Sequence, residues 1–378
     1  MSRQTLGEAC SRLSSGKSIP SNKVLDKGLY PVIGGNGRRG FTNSYNFEGR
    51  CAVIGRQGAA CGNVHYFSGK GYMTEHAVVA CAANGNDSHY LAYLLSTMNL
   101  GRLSGQSAQP GLSVRTLSKQ FIDLPSLKKQ RQVVELLGSL DEKIGVNTRA
   151  NGYLYECCTA KMIDIVSSSD RTMTVGECCE SIYSGGTPST KKAAYWNGNL
   201  PWLSSGETRC RFIIDTEKTI TELGVAESST KLAKAGDVVM ASAGQGFTRG
   251  QTSMLFFDTY VNQSVVVMRP KRDYGAYLLL MLAAQYDNLR AWSDSTSTRG
   301  SMSGKLLRQF ELPYFDVEQA KELTAFTAPM FAMIENNMRE SKALAQTRDA
   351  LLPKLMSGEI DVSEVELPKQ PNSHLCER

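Results

Sequence analysis

Long apolar runs are missing from this 378-residue chain: none reaches the roughly 18 to 20 residues that crossing a bilayer requires. The opening MSRQTLGEACSRLSSGKS also lacks the apolar middle of a secretory signal, so the expected location is the cytoplasm, with no membrane segment. Histidine is scarce. His65, His76, His89 and His374 never stand at HExxH spacing, and no two cysteines stand as CxxC, so the familiar zinc frameworks are excluded and no metal is expected. The ten cysteines are too diluted for a disulfide scaffold and include the vicinal pairs Cys157/Cys158 and Cys178/Cys179. They read as reduced thiols filling small apolar positions, and no cysteine and histidine are nominated as nucleophile and base.

What is present is a chain written twice. LGEACSRLSSG (6–16) returns as VGECCESIYSG (175–185), an offset of 169 that matches Gly7 with Gly176, Glu8 with Glu177, Cys10 with Cys179 and Gly16 with Gly185. KQFIDLP (119–125) returns as RQFELP (308–313), and GYMTEHAVV (71–79) aligns with TYVNQSVVV (259–267). After each LP, Ile144, Asn147 and Leu154 correspond to Ile334, Asn337 and Leu344.

The stretches before each LP hold short β-type runs such as CAVIG (51–55) and QSVVVM (263–268) between Gly, Asn and Ser clusters. The stretches after each LP behave differently. Val133, Leu137, Leu140, Ile144, Asn147, Asn151, Leu154 and Cys158 step by fours and threes, a heptad seam. Its weaker second copy is Leu323, Phe326, Met330, Met333, Asn337, Leu344 and Leu351, with Asp316 and Gln319 as a capping box at its start. Two helices of roughly 35 to 40 residues are predicted, each about 55 Å long. Seam asparagines cost stability but can fix register; the other reading of the stripe is ordinary core packing.

Charge follows the same division. Residues 1–122 carry a net +8 and residues 171–311 a net +3, whereas 123–170 carry −1 and 312–378 carry −4. The total of +6, with an isoelectric point near 8.7, suits a polyanion, and the pattern fits globular parts that meet phosphate and helices that meet protein.

Several motifs fail on context. Gly35, Gly37 and Gly40 satisfy GxGxxG, yet FTNSYNFEG follows where a dinucleotide site needs a helix, so a glycine-rich loop is expected. SSGKS (14–18) lacks the earlier glycine of a phosphate-binding loop, because Ser11 stands there. Asn199, Leu200, Pro201 and Trp202 are a poor match to an amino-methyltransferase motif, with Leu200 in a proline's place and no Rossmann unit alongside.

In their doubled order, these segments resemble the specificity subunits of type I restriction-modification systems. The carriers are the openings ending SSGKS and SGGTPS, NLPWLSSGE (199–207), GRQGAACGNV (55–64) with SAGQGFTRGQ (242–251), SAQPGLS (107–113), each LP before a helix, and the close TRDALLPKLMSGEI (347–360). Residues 313–320 read PYFDVEQA where the family more often has PPLEEQ, and the first opening lacks the TP of the second. The resemblance implies an α+β fold with an internal pseudo-two-fold repeat: two β-rich target recognition domains (1–122 and 171–311) separated by two long antiparallel coiled-coil helices (123–170 and 312–362). The polar tail (363–378) is expected to fray. It further implies a DNA reader with no active site and no cofactor of its own. Its partners would be double-stranded DNA, two modification subunits that methylate adenine at N6 with S-adenosylmethionine, and restriction subunits that translocate and cut DNA with ATP and Mg. The helix seams would dock the modification subunits.

Arg and Lys suit guanine edges and phosphates, and Asn and Gln suit adenine. Candidate DNA contacts in the first domain are therefore Asn36, Arg38, Arg39, Arg56, Gln57, Lys70, Gln106 and Gln109. In the second they are Thr187, Lys191, Lys192, Ser205, Arg209, Arg211, Gln245, Thr248, Arg249 and Arg299. Two other functions stay open at this point: a stand-alone enzyme acting on nucleic acid, and a protein-interaction or regulatory module.

Overall fold

The computed structural model describes residues 2–104, 111–166, 171–243, 248–296 and 301–362. The fold is α+β, with two units: residues 1–144 with 343–378, and residues 145–342.

The first unit is built on a six-stranded sheet in the order Cys10–Ser15, Ala77–Ala82, Phe47–Gly55, Val64–Met73, Tyr30–Gly34 and Gly37–Thr42. Side chains alternate across it, as the two-residue period of a strand demands. Ala52, Ile54, Val78 and Ala80 face the helix Ser88–Thr97, while Cys51, Val53, Ala77 and Val79 join Ile33, Phe47 and Met73 on the other face. Both faces are thus apolar and buried along the two inner strands, Phe47–Gly55 from Cys51 on and Ala77–Ala82 as far as Ala80.

The second unit repeats this plan. Its five-stranded sheet runs Cys179–Ser184, Val265–Pro270, Val238–Ala241, Thr252–Leu255 and Phe212–Ile213, and a four-stranded sheet holds Trp196–Leu203. Val238, Met240, Val266 and Met268 point to one core, and Val239, Val265 and Val267 to another.

The duplication extends to single residues. Cys10–Ser15 pairs with Ala77–Ala82 as Cys179–Ser184 pairs with Val265–Pro270, each with a register shift at the same place, between Cys10 and Arg12 and between Cys179 and Ser181. Thr5 and Glu8 form a capping box, the Thr5 N–H donating to Glu8 Oε2 at 2.8 Å, and Thr174 and Glu177 repeat it at 2.6 Å. Those N–H groups hold both glutamates below the usual carboxylate range. The strand Phe121–Leu124 returns to pair with Ser2–Thr5, and Glu311–Pro313 with Thr172–Thr174. Each LP therefore closes its domain just before a long helix.

Those helices are Leu127–Ile165, of 39 residues, and Val317–Ser357, of 41. Asp316 and Gln319 cap the second reciprocally at 2.8 and 2.9 Å, as expected. Within the second unit the pairs Asn147 with Ser341, Asn151 with Asn337 and Cys158 with Met330 run in opposite directions, so the helices are antiparallel there. Asn147 is 2% exposed, and its amide donates to Glu340 Oε2 at 2.7 Å, Ser341 Oγ at 3.2 Å and the Asn337 carbonyl at 3.3 Å. The buried amide is satisfied, which makes it a register device rather than a defect.

The stripe does more than join helix to helix. Val133 and Leu137 are buried with Leu355 in the core of the first unit's sheet, with Leu140 packed against it. In the second unit Cys158, Met162, Leu323, Phe331 and Ile334 share the core of the other sheet, with Leu154 and Met330 at its margin. Ile144 and Leu344 are half-buried. The second copy of the seam is displaced from the expected phase. Met333 is 53% exposed and Phe326 only half-buried, while their neighbours Ile334 and Thr327 are each 1% exposed. A polar residue at Thr327, bonded to the Leu323 carbonyl at 2.9 Å, hides the true stripe, and two apolar residues one step off imitate it.

In the first unit the Tyr93 hydroxyl donates to Asp141 at 2.5 Å, and Arg348 donates to the same carboxylate at 2.6 Å. One acid on the first helix thus ties a helix of the β-domain to the second long helix. His89 stacks between Tyr66 and Tyr93, with centroids 3.8 and 4.6 Å away, and burial pulls its pKa down: it is a packing residue. No helix among the described residues is long and apolar enough to cross a membrane, and no group of three His, Cys, Asp or Glu among them could hold a metal.

Candidate nucleic-acid interface

In the first unit five segments converge through backbone hydrogen bonds. The Lys17 N–H donates to the Met73 carbonyl at 2.9 Å, Thr74 to Ile33 at 2.9 Å, Arg56 to His76 at 2.9 Å and Leu112 to Arg56 at 2.8 Å. Gln57 bridges Gly111. The approach is close: a Cβ at Gly35 would stand 2.9 Å from the His76 carbonyl and 3.2 Å from the Gly55 Cα. Glycine is needed there for clearance, and that explains the GGNGRRG run. It forms the turn between Tyr30–Gly34 and Gly37–Thr42, with no helix after it, as expected.

This convergence gathers Asn36, Arg39, Arg56 and Gln57 of the candidates. Asn36, Arg39 and Gln57 are exposed and Arg56 half-buried. Arg39 lies along the chain at Gly34, and the exposed Arg38 places its guanidinium 5.0 Å from the Phe41 ring. Among the described residues Arg38, Arg39 and Arg56 have no carboxylate partner, so their charge is available to solvent or to an anion. Lys70 differs, pairing with Glu48 at 3.5 Å. Lys17, exposed beside Gly16 in the SSGKS opening, belongs to the gathered set although it is not among the candidates read from the sequence. Gln106 and Gln109 lie outside the described residues.

The second unit builds the same junction from other side chains. The Gly186 N–H donates to Val261 at 3.1 Å, Ser242 to Ser264 at 2.8 Å, Met302 to Ser242 at 2.8 Å and Gly250 to Ala241 at 3.0 Å. Met302 to Ser242 repeats Leu112 to Arg56, so Ser242 stands where the first domain has Arg56. Half-buried Thr187 bonds Gln263 here, and Thr248 is half-buried. Arg249 is only 4% exposed and ion-paired to Asp294 at 2.7 Å. It braces the junction from inside, whereas its residue type and glycine-rich surroundings nominate it as a DNA contact.

Ser205 follows the strand Trp196–Leu203 into the same junction, where the Asn262 N–H donates to the Leu203 carbonyl at 3.1 Å as Thr74 does to Ile33; the remaining described candidates are Lys191, Lys192, Arg209 and Arg211. Exposed Lys191 precedes Lys192, which donates to the Tyr195 hydroxyl at 2.6 Å and to Glu227 at 3.1 Å. Half-buried Ser205 opens a short 3-10 turn that also carries Arg209, itself 3.2 Å from Glu217. Arg211 is exposed, 5.0 Å from the Tyr155 ring on the first long helix. Asn199 to Trp202 are part of the strand Trp196–Leu203, with Trp202 buried, so that stretch is structural. Gln245 and Arg299 lie outside the described residues.

Known proteins match this architecture. Residues 4–152 and 170–336 fit the family described as the type I restriction modification DNA specificity domain. The chain belongs to that family. Two copies of the family's domain in one chain coincide with the internal repeat. The chain is 36% identical over 143 residues to the EcoprrI specificity subunit of Escherichia coli, a match covering 37% of this chain and 35% of that one. To the MjaIX specificity subunit of Methanocaldococcus jannaschii it is 23% identical, over 75% of this chain and 71% of the relative. The alignments thus span from about a third to about seven tenths of these two relatives. The S subunit of the type I restriction-modification system of M. genitalium shares the fold, with a TM-score of 0.60 at 14% identity over 94% of this chain and 95% of that one.

Proposed function

We propose that this chain is the sequence-specific DNA-binding subunit of a type I restriction-modification complex in the cytoplasm. The observation that supports it most is the pair of β-domains with one register and different side chains at the converging loops. Each domain reads one half-site, and the antiparallel helices act as the spacer between them. Arg56 against Ser242, and Lys17 against Gly186, give the two readers different hydrogen-bonding and charge. The half-sites therefore differ, and the target is bipartite and asymmetric. Arg39, Arg56, Asn36, Gln57 and Lys17 serve the first half-site, and Thr187, Thr248 and the residues flanking them serve the second. Residues 1–122 and 171–311 are the readers, and residues 123–170 and 312–362 supply the docking surface for two modification subunits. Those subunits methylate adenine at N6 with S-adenosylmethionine, and restriction subunits cut with ATP and Mg. This chain itself catalyses nothing and binds no cofactor.

The test is binding of the complex with its modification subunits to duplex DNA over a range of salt. Log affinity should fall linearly with log salt, because phosphate contacts release counterions. Arg56→Ala should weaken binding roughly 5- to 150-fold, the equivalent of about 1 to 3 kcal/mol, and relax preference at one half-site only. Affinity indifferent to salt, or an Arg56→Ala complex with wild-type affinity and preference, would count against the assignment.

A further inference from the structure

The two β-domains differ in chemistry at one equivalent cross-strand position. In the second domain Asp237 faces Arg269 one step beyond the pair Val238 and Met268. The guanidinium donates from Nε and Nη2 to the two carboxylate oxygens at 3.1 and 2.9 Å, and Asp237 is buried. In the first domain the position one step beyond Ala52 and Ala80 is held by Cys51 and Cys81. The equivalence is fixed from the third strand of each sheet, where Arg12 pairs with Cys81 and Ser181 with Arg269, in both cases next to the register shift.

Residues directly opposite in antiparallel strands have Cα atoms roughly 4.5 to 5.5 Å apart. That falls within the range of about 4.4 to 6.8 Å that disulfides span. Both cysteines belong to the same face of the sheet, beside Phe47 and Phe67. Cys51 is fully buried and Cys81 half-buried, so a small oxidant can meet one sulfur and not the other. Arg12, whose guanidinium lies 5.5 Å from the Phe47 ring, supplies positive charge to Cys81 from the neighbouring strand. The adjacent Cys51 thiol and that arginine lower the Cys81 pKa to about 7, while the adjacent Cys81 and burial push Cys51 far up.

We propose that Cys51 and Cys81 are a redox-active cross-strand pair that hydrogen peroxide oxidises to a disulfide, stapling two inner strands of the first domain where the second domain carries an ion pair. The Cys81 thiolate attacks a peroxide oxygen, the O–O bond breaks, and the departing hydroxide takes a proton to become water, leaving Cys81 as a sulfenic acid. The Cys51 sulfur then attacks the Cys81 sulfur, the S–O bond breaks, and the leaving hydroxide takes the Cys51 proton as a second water. Two electrons pass from the thiols to one peroxide. The second step is intramolecular, so the burial of Cys51 is no obstacle.

The experiment treats the full chain with stoichiometric hydrogen peroxide, alkylates the remaining thiols, digests without reductant and analyses the peptides by mass spectrometry. The peptides carrying Cys51 and Cys81 should appear joined and separate on dithiothreitol treatment. Cys51→Ala should instead leave Cys81 as a sulfenic acid that dimedone traps. The initial rate should rise about tenfold from pH 6 to pH 8 and level off above, following the thiolate fraction of Cys81. Cys51 and Cys81 both still alkylatable after unfolding, once exposed Cys157 and Cys210 are oxidised, would overturn the proposal. So would Cys81 joined to Cys10 in place of Cys51.

Discussion

Gly16→Ala and Gly185→Ala are each expected to destabilise the protein by about 3 to 5 kcal/mol, in parallel, although 169 residues separate them. A Cβ at Gly16 would stand 2.1 Å from the Met73 carbonyl oxygen, and one at Gly185 would stand 1.9 Å from that of Val261. Neither oxygen can yield cheaply. The first accepts from Lys17 N–H and Asn46 Nδ2, both at 2.9 Å, and the second from Gly186 N–H at 3.1 Å and Thr230 Oγ1 at 3.0 Å. Overpacking alone costs about 1 to 3 kcal/mol, and each displaced hydrogen bond adds about 1. Gly152→Ala on the first long helix is the control: nothing lies within 4 Å of its added Cβ, and it should stabilise by about 0.5 to 1 kcal/mol. Denaturant unfolding of the three variants measures this. A Gly16→Ala protein as stable as wild type would refute the shared close approach, and with it the structural equivalence of the two openings.

Phe212→Ala should cost about 3 to 5 kcal/mol. The ring is 5% exposed and stacks on Phe256, with centroids 5.2 Å apart; it meets the edges of Phe331 at 5.1 Å and Tyr155 at 6.2 Å. Tyr155 and Phe331 lie on the two long helices, and Phe212 belongs to a strand of only two residues. One side chain thus carries much of the attachment between the edge of the five-stranded sheet and the helix pair of that unit. Phe212→Leu, which refills most of the volume, should recover all but about 1.5 kcal/mol. Equal losses for Ala and Leu would mean that the ring's volume is not what the site uses.

Much of this was legible in the residues because a repeat reports its architecture twice. Gly16 with Gly185 and Glu8 with Glu177 announce the same opening, and each LP announces a strand that closes a domain before a helix. The capping box at Asp316 and the satisfied asparagine at 147 were readable from local chemistry. The phase of the second helix was not. Thr327 is polar yet buried because its hydroxyl bonds within its own helix, whereas Met333 is apolar yet exposed. Contacts were the least legible. Arg249 looks like a reader by type and neighbourhood, but Asp294, 45 residues away in sequence, draws it inside. Lys17 reads as part of a failed phosphate loop, and only the backbone convergence on residues 73–76 draws it into the loop cluster that holds Arg56. Pairings made by distant segments leave no periodic trace.

Mapping N6-methyladenine in cells that express this chain with its modification subunit, against the same cells lacking it, tests most directly whether the chain selects the DNA sequence its complex modifies. One bipartite, asymmetric motif should disappear with the chain, and Arg56→Ala should alter one half of that motif. An unchanged map, while the modification subunit is active with another specificity chain, would contradict that selection.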